Sequence, residues 1–201
     1  MSLILNIETA TTVCSVALAK DGELISFKEQ NGDYTHAENL TLFIEEVMKQ
    51  SHLNLKNIDA IAVSMGPGSY TGLRIGVSVA KGLCYAIDKP LIAVNTLQHL
   101  ALSVSAKNNS NDFLYCPMLD ARRMEVYYAV FDHSGNTVMP SAAEVINENS
   151  FKTLLAKHKV MFLGNGAEKC KNILRSVSKN AIFTDNIELS AKSMITHSYK
   201  D

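Results

Sequence analysis

The chain has 201 residues, of which 47% are hydrophobic and 19% charged, and its formal net charge is −1. This composition is typical of a globular protein with enough apolar residues for a core. The charge balance argues against a protein that binds nucleic acid by itself. No apolar run approaches the roughly 20 residues of a membrane helix. Because no basic segment precedes the first apolar residues, we expect a cytoplasmic protein without a signal peptide or a membrane contact.

The first 31 residues predict a meander of three antiparallel strands. Apolar residues dominate the segments 3–7, 13–19 and 24–29. The dipeptide Asp21-Gly22, between the second and third segments, is typical of hairpin turns.

A helix is predicted next, over residues 36–50. Thr35 and Glu38 form a capping-box pattern, in which the hydroxyl and the carboxylate satisfy free amides at a helix start. Behind them, apolar residues recur at helical spacing: Leu40, Phe43, Ile44, Val47 and Met48.

Strands and helices then alternate to the end of the chain. They are predicted as strand 58–65, helix 69–87, strand 91–94, helix 96–104, strands 113–119 and 125–131, helix 150–157, strand 160–164 and helices 166–176 and 190–200. A three-strand meander followed by such alternation is typical of a ribonuclease-H-like unit, an α/β fold with a mixed sheet and flanking helices. A polar break near 105–112 predicts two lobes, 1–106 and a smaller 107–201.

The segment GPGSYTGLRIG at 66–76 places four glycines where a predicted strand passes into a helix. It matches neither the phosphate loop, which needs Lys and Ser or Thr after the last glycine, nor the dinucleotide pattern GxGxxG. The free amides of the helix start still allow a weak anion or nucleotide site. Its candidate residues are Thr9, Thr11 and Thr12 in the first turn and Ser69 and Thr71 in the junction.

A second interpretation of the junction is close packing. Gly68, Gly72, Gly76 and Ala80 recur every four residues, so that a stripe of small side chains lets another backbone approach. Interior helix glycines cost on the order of 1 kcal/mol each relative to alanine, so the stripe indicates a tight contact. Spacing alone leaves open whether the contact is with the chain's own sheet or with another subunit.

Few residues fit a catalytic or metal site. The six histidines form neither HxxxH nor HExxH, and the four cysteines are far apart with no CxxC pair. Asp120, Arg122 and Arg123 follow a predicted buried strand; they are predicted either to orient a group at a subunit contact or to form a salt-bridged loop. We therefore expect no metal and no cofactor.

Four segments of the chain resemble the TsaB (YeaZ) family of bacteria, which is needed to make N6-threonylcarbamoyladenosine in tRNA. They are ILNIETATTVCSVAL, GPGSYTGLRIGVSVAKGL, KPLIAVNTLQHLA and MLDARRMEVYYAVF, and they lie within residues 1–135. The resemblance implies the actin, Hsp70 and sugar-kinase (ASKHA) fold with two ribonuclease-H-like lobes. Because family members commonly run longer, it also implies that the second lobe is reduced and the chain shortened.

The resemblance further implies a supporting role rather than catalysis. The paralogous transferase, TsaD, carries a metal-binding histidine pair in VNHLEGH, where this chain has VNTLQHL. Thr96 and Leu100 stand at the two histidine positions, and His99 is one residue out of step. The resemblance thus implies a non-catalytic scaffold that pairs with TsaD and activates it. It also implies that an ATPase subunit, TsaE, joins the assembly, that the chain alone is a homodimer, and that tRNA is contacted only indirectly.

By the same resemblance, helices 36–50 and 69–87 are expected to form a helical bundle across the subunit boundary. The expected interface residues are Leu40, Phe43, Ile44, Val47, Tyr70, Gly72, Leu73, Arg74, Gly76, Val77, Ala80 and Lys81. On this basis Gly76→Leu is expected to block association while the monomer stays folded.

The competing hypothesis is an ATP-binding phosphotransferase or ATPase of the same fold. It would need an acidic residue and a glycine in the first turn, which has no glycine, and a second glycine-rich loop, for which LGNGA at 163–167 is a partial match. An independent tRNA-binding module is disfavoured by the charge balance.

Overall fold

The structure is a computed structural model that describes residues 2–32, 36–108 and 110–199. The chain forms two compact units, Met1–Thr96 with Leu189–Asp201, and Leu97–Glu188. This division differs from the predicted single boundary at 106/107 in two ways. Residues 97–106, predicted in the first lobe, fall in the second unit, and the last segment of the chain returns to the first unit. No helix among the described residues combines the length and the apolar character needed to cross a membrane.

The first unit is built on a five-stranded mixed sheet. Its strands are β1 (Leu3–Glu8), β2 (Val13–Lys20), β3 (Glu23–Asn31), β4 (Ala60–Gly66) and β5 (Leu91–Asn95), in the spatial order β3-β2-β1-β4-β5. The first three form the predicted antiparallel meander, and β4 and β5 continue the sheet in parallel with β1.

Helices α1 (His36–Gln50) and α2 (Tyr70–Ile87) and a single 3-10 turn, Leu55–Asn57, belong to the same unit. These strands and helices lie within two residues of their predicted bounds. The predicted capping residue Thr35 lies outside the described residues.

The two faces of this sheet are covered by different helices. Leu3, Leu5 and Ile7 alternate along β1 and pack with α1 and α2 into the main core. The intervening residues Ile4 and Asn6 face the other way, toward α6 (Ala191–Ser198).

Helix α6 lies close to the sheet because small residues, among them Ala17, Ala19 and Ala62, line the strands beneath it. The Ala191 amide donates to the Ser15 hydroxyl at 2.8 Å. The Ser198 hydroxyl donates to the Asn6 side-chain oxygen at 2.6 Å. These contacts explain why residues 189–201 belong to the first unit, although the predicted C-terminal lobe included them.

The docking of α6 predicts a large effect of Met194→Ala. Met194 is fully buried against the sheet, so its truncation should lower the free energy of unfolding by about 2–5 kcal/mol. The control is Met65→Ala, which removes a side chain that is 59% exposed in the same unit and should cost less than about 0.5 kcal/mol. Urea unfolding followed by circular dichroism measures both; equal stability of the two variants would contradict the docking.

The second unit repeats the sheet topology of the first. It contains α3 (Thr96–Ser105) except for its first residue, and β6 (Phe113–Asp120), β7 (Glu125–Phe131), β8 (Thr137–Val145), α4 (Lys152–Leu155), β9 (Lys159–Leu163), α5 (Ala167–Val177) and β10 (Ala181–Phe183). The spatial order is β10-β9-β6-β7-β8, with an antiparallel meander and two parallel strands, as in the first unit. The sheet of this unit thus has all five strands, and its helices are shorter.

Two strands of the second unit were not predicted from the sequence. β8 is an edge strand that is mostly exposed and contains Pro140, and edges are where sheets tolerate proline. β10 has only three residues. The helix predicted over 150–157 is a single turn, α4.

Candidate functional site

The glycine junction packs against the turn between β1 and β2. Ser69 caps α2, because its hydroxyl accepts from the Gly72 amide at 3.2 Å, and its own amide donates to the Ala10 carbonyl at 2.7 Å. The Thr9 hydroxyl donates to the Gly72 carbonyl at 2.8 Å, and Thr9 is fully buried. The first turn of the chain therefore lies directly on the start of α2.

The small-residue stripe of α2 faces this turn. A β-carbon on Gly68 would lie 2.5 Å from the Ala10 carbonyl oxygen, and one on Gly72 would lie 2.1 Å from the Thr9 carbonyl oxygen. On Gly76 it would lie 2.3 Å from the Thr9 hydroxyl oxygen. Only glycine fits at such distances. The close contact that the spacing predicted is thus made with the protein's own first turn.

This geometry corrects part of the expected interface. Gly72 and Gly76 are covered by the first turn, and Ala80 is fully buried in the main core. Gly76→Leu would therefore disturb the fold of the first unit, contrary to the expectation that the monomer stays intact.

Two glycine-to-alanine changes in α2 test the packing of the stripe. Gly72→Ala should lower the free energy of unfolding by about 1–3 kcal/mol, because the added methyl group meets a backbone carbonyl. Gly82→Ala is the matched control: a β-carbon there meets nothing within 4 Å, so higher helix propensity should raise stability by about 0.5–1 kcal/mol. Thermal and urea unfolding compare them. A stable Gly72→Ala protein would contradict the contact.

The core-facing residues of α1 need the same correction. Leu40, Phe43, Ile44 and Val47 are 5% exposed or less and pack against the sheet of their own unit. Their helical spacing marks the buried face of α1 rather than a face that is free for a partner.

The surface that α2 does leave open carries the other expected interface residues. Tyr70 is 75% exposed and Tyr85, which the sequence did not single out, is 92% exposed. Arg74 lies over the Tyr70 ring at 5.2 Å and donates to its hydroxyl at 3.3 Å. We define the α2 outer face as Tyr70, Leu73, Arg74, Val77, Lys81 and Tyr85. Leu73 and Val77 are half-buried, with Val77 packed against the main core, and the rest are exposed.

An open groove of about 1180 Å³ runs between α1, α2 and the 3-10 turn. Both apolar and polar residues line it, and α1 also exposes Leu42. The apolar lining residues are Ile44, Met48, Leu53, Leu55, Val79 and Leu83.

The structure does not bring the five candidate anion residues into one open site. The buried Thr9 hydroxyl donates to α2, Thr11 Oγ1 accepts from the Val13 amide at 3.3 Å, and the Thr12 hydroxyl donates to Asn31 Oδ1 at 2.9 Å. Ser69 and Thr71 are exposed.

Two residues beside the first turn hold it in place, and sequence reasoning missed this role for both. The fully buried Glu8 carboxylate accepts from the Ala10 amide at 2.7 Å and from the Ser64 hydroxyl. The His36 Nε2 lies 2.6 Å from the Thr11 carbonyl oxygen, so it donates there and ties the start of α1 to the turn. The role of His36 could have been suspected from the sequence, because it is the first residue of a helix that the sequence predicts clearly.

In the second unit, the glycines of LGNGA (163–167) likewise allow close approach to a neighbouring backbone. A β-carbon on Gly164 would lie 2.6 Å from the Met118 carbonyl oxygen, and one on Gly166 would lie 2.8 Å from the Leu119 carbonyl carbon. Asn165 Oδ1 accepts from the Asp120 amide at 3.0 Å. The partial second phosphate loop is therefore packed against the backbone of β6, as the first junction is packed against the first turn.

The positions of the transferase histidines are occupied by core residues. Thr96 is fully buried and its hydroxyl accepts from the Gly66 amide at 3.1 Å. Leu100 and His99 are also fully buried.

Comparison with known proteins places this geometry in a family. The family model of TsaD, tRNA N6-adenosine threonylcarbamoyltransferase, matches residues 32–200. The Bacillus subtilis tRNA threonylcarbamoyladenosine biosynthesis protein TsaB is 30% identical over 182 residues, which are 87% of this chain and 76% of that protein. The chain belongs to the TsaB branch of the TsaD family. The resemblance seen in the sequence is thus confirmed.

Other TsaB proteins extend beyond the matched part. The Escherichia coli TsaB is 36% identical over 135 residues, which are 67% of this chain and 57% of that protein. The chain therefore spans little more than half the length of that curated relative.

Solved structures confirm the predicted ASKHA fold. YeaZ from Pseudomonas aeruginosa matches 98% of this chain and 91% of its own with a TM-score of 0.79 and 25% identity. A polyphosphate/ATP-glucomannokinase from an Arthrobacter strain has a TM-score of 0.53 at 10% identity, which is a likeness of fold alone.

Proposed function

We propose that this chain is a non-catalytic subunit in the synthesis of N6-threonylcarbamoyladenosine in tRNA, which pairs with a TsaD-type transferase and activates it. TsaB relatives carry the name of this biosynthesis, and the TsaD model spans most of the chain. The observation that carries the pairing is the α2 outer face, where two exposed tyrosines flank an arginine. Tyrosine and arginine are enriched at protein interfaces and among their hot spots.

The close packing of the two glycine-rich segments, GPGSYTGLRIG and LGNGA, supports the non-catalytic part of the proposal. In the first unit, the amide of Ser69, the residue that caps α2, donates to the Ala10 carbonyl, and the glycine stripe is covered by the first turn. In the second unit, LGNGA lies against β6 in the same way. The positions where kinase-like relatives of the fold would hold phosphate are thus engaged in packing.

The wider assembly follows from the same proposal. The α2 outer face pairs with the transferase in the complex and with a second copy when the chain is alone, and the ATPase TsaE joins the assembly. The transferase carries the chemistry, and the complex works in the cytoplasm.

A charge reversal on the α2 outer face tests the pairing. Arg74→Glu should weaken association with the cognate transferase about tenfold or more, because it removes an exposed cation stacked on Tyr70. The control Arg175→Glu changes the charge equally on α5, where the arginine also lies over an aromatic ring, Phe183, and should leave association unchanged. Isothermal titration calorimetry measures the affinity, and modification of tRNA transcripts measures activation.

Two results would contradict the proposal. One is association of the Arg74→Glu variant that is as tight as that of the Arg175→Glu control, which would remove the α2 outer face from the interface. The other is ATP hydrolysis by the chain alone without complex formation, which would favour the ATPase hypothesis instead.

A further inference from the structure

The turn between β6 and β7 has a backbone that its sequence does not favour. Arg122 and Arg123 have φ angles of 73° and 48°. The left-handed region is uncommon for residues other than glycine, asparagine and aspartate, and each such residue costs conformational free energy. Two arginines in succession hold this conformation only if the surrounding structure imposes it.

Lys169, on α5, imposes it. Its ammonium group donates to Asp120 Oδ1 at 2.5 Å and to the carbonyl oxygens of Arg123 and Glu125, both at 2.7 Å. Asp120 Oδ1 also accepts from the Arg122 amide at 2.8 Å. The loop that the sequence predicted around Asp120 is salt-bridged, but through Lys169 rather than through the neighbouring arginines.

These bonds leave the two arginines as free cations. Burial raises the pKa of Asp120, but the hydrogen bonds from Lys169 and the Arg122 amide outweigh burial and hold that pKa below its usual value. Asp120 is therefore ionised at neutral pH and neutralises Lys169. Arg122 and Arg123 are exposed, and their guanidinium groups make no hydrogen bond or ion pair with residues 2–32, 36–108 or 110–199.

We propose that this turn, Asp120–Glu125, contacts the phosphate backbone of RNA, which replaces the expectation that the chain contacts tRNA only indirectly. The inference rests on the proposed function, which makes tRNA the substrate of the complex. A guanidinium group binds phosphate with two parallel hydrogen bonds, and a turn already fixed in shape loses little conformational entropy on binding. Counting Glu125, which begins β7, the turn and Lys169 carry a net charge of +1, with both unpaired cations at the tip.

The contact is an auxiliary one. The chain as a whole has a net charge of −1. Two phosphate contacts therefore add to the affinity of the transferase for tRNA and do not replace the transferase's own binding. Their signature is a strong dependence on salt, because each neutralised phosphate releases counterions.

The test uses the double variant Arg122→Gly/Arg123→Gly in the full chain. Glycine accepts both left-handed φ angles without strain, so this variant should keep the fold, which circular dichroism checks. The control Lys157→Ala/Lys179→Ala removes two exposed cations elsewhere in the same unit. Fluorescence anisotropy with labelled tRNA measures the affinity of each protein in complex with the transferase, at several salt concentrations.

The arginine variant should bind tRNA about tenfold more weakly at low salt, and the slope of log K against log salt should shrink by about 1.5, since two phosphate contacts are lost. The control should stay within about twofold of wild type. Unchanged affinity and slope in the arginine variant would overturn the proposal. So would an equal loss in the control, or a loss of transferase binding, which would mark the turn as a contact for an acidic protein surface.

Light scattering of the wild-type mixture separates this proposal from the proposed function. If no complex forms, the proposed function fails, and the same anisotropy comparison on the chain alone at low salt still decides whether the turn binds RNA.

Discussion

The contact between the first turn and the start of α2 is the constraint on which the first unit depends. Thr9 and Ala10 present two carbonyls and a hydroxyl to the start of α2. Gly68, just before the helix, and Gly72 and Gly76, within it, carry only hydrogen atoms there. Because a methyl group at any of these positions would overlap with the turn, the glycines fix the distance between β1 and α2. Glu8 and His36 hold the turn from its other sides.

This constraint also separates the inner side of α2 from its outer side. The inner side packs against the first turn and the core. It therefore leaves neither an open phosphate site nor an exposed stripe of small residues that a partner could contact. The outer side keeps Tyr70, Arg74 and Tyr85 in solvent. In the second unit, Gly164 and Gly166 pack against the backbone at the end of β6, much as the glycines of the first unit pack against the turn that follows β1.

Much of the fold was predictable from the sequence because strong periodicity marks it. The meander, α1 and α2 follow from apolar spacing, whereas β8 was missed because an exposed edge strand with Pro140 has no alternating apolar face. The site was predictable only in part. Spacing predicted that α2 makes a close contact, but the partner in that contact, Thr9, is 63 residues away in the sequence. Likewise, nothing near Asp120 in the sequence indicates Lys169.

Site-specific photo-crosslinking tests the central claim most directly, namely that the outer side of α2 is the partner-binding surface. A photoreactive phenylalanine analogue would replace Tyr85 on α2, and in a second protein Tyr199, which is 49% exposed after α6. Irradiation with the cognate transferase should give a covalent adduct from position 85 and none from position 199. Adducts from position 199 alone would contradict the account, because the partner would then lie on a different surface.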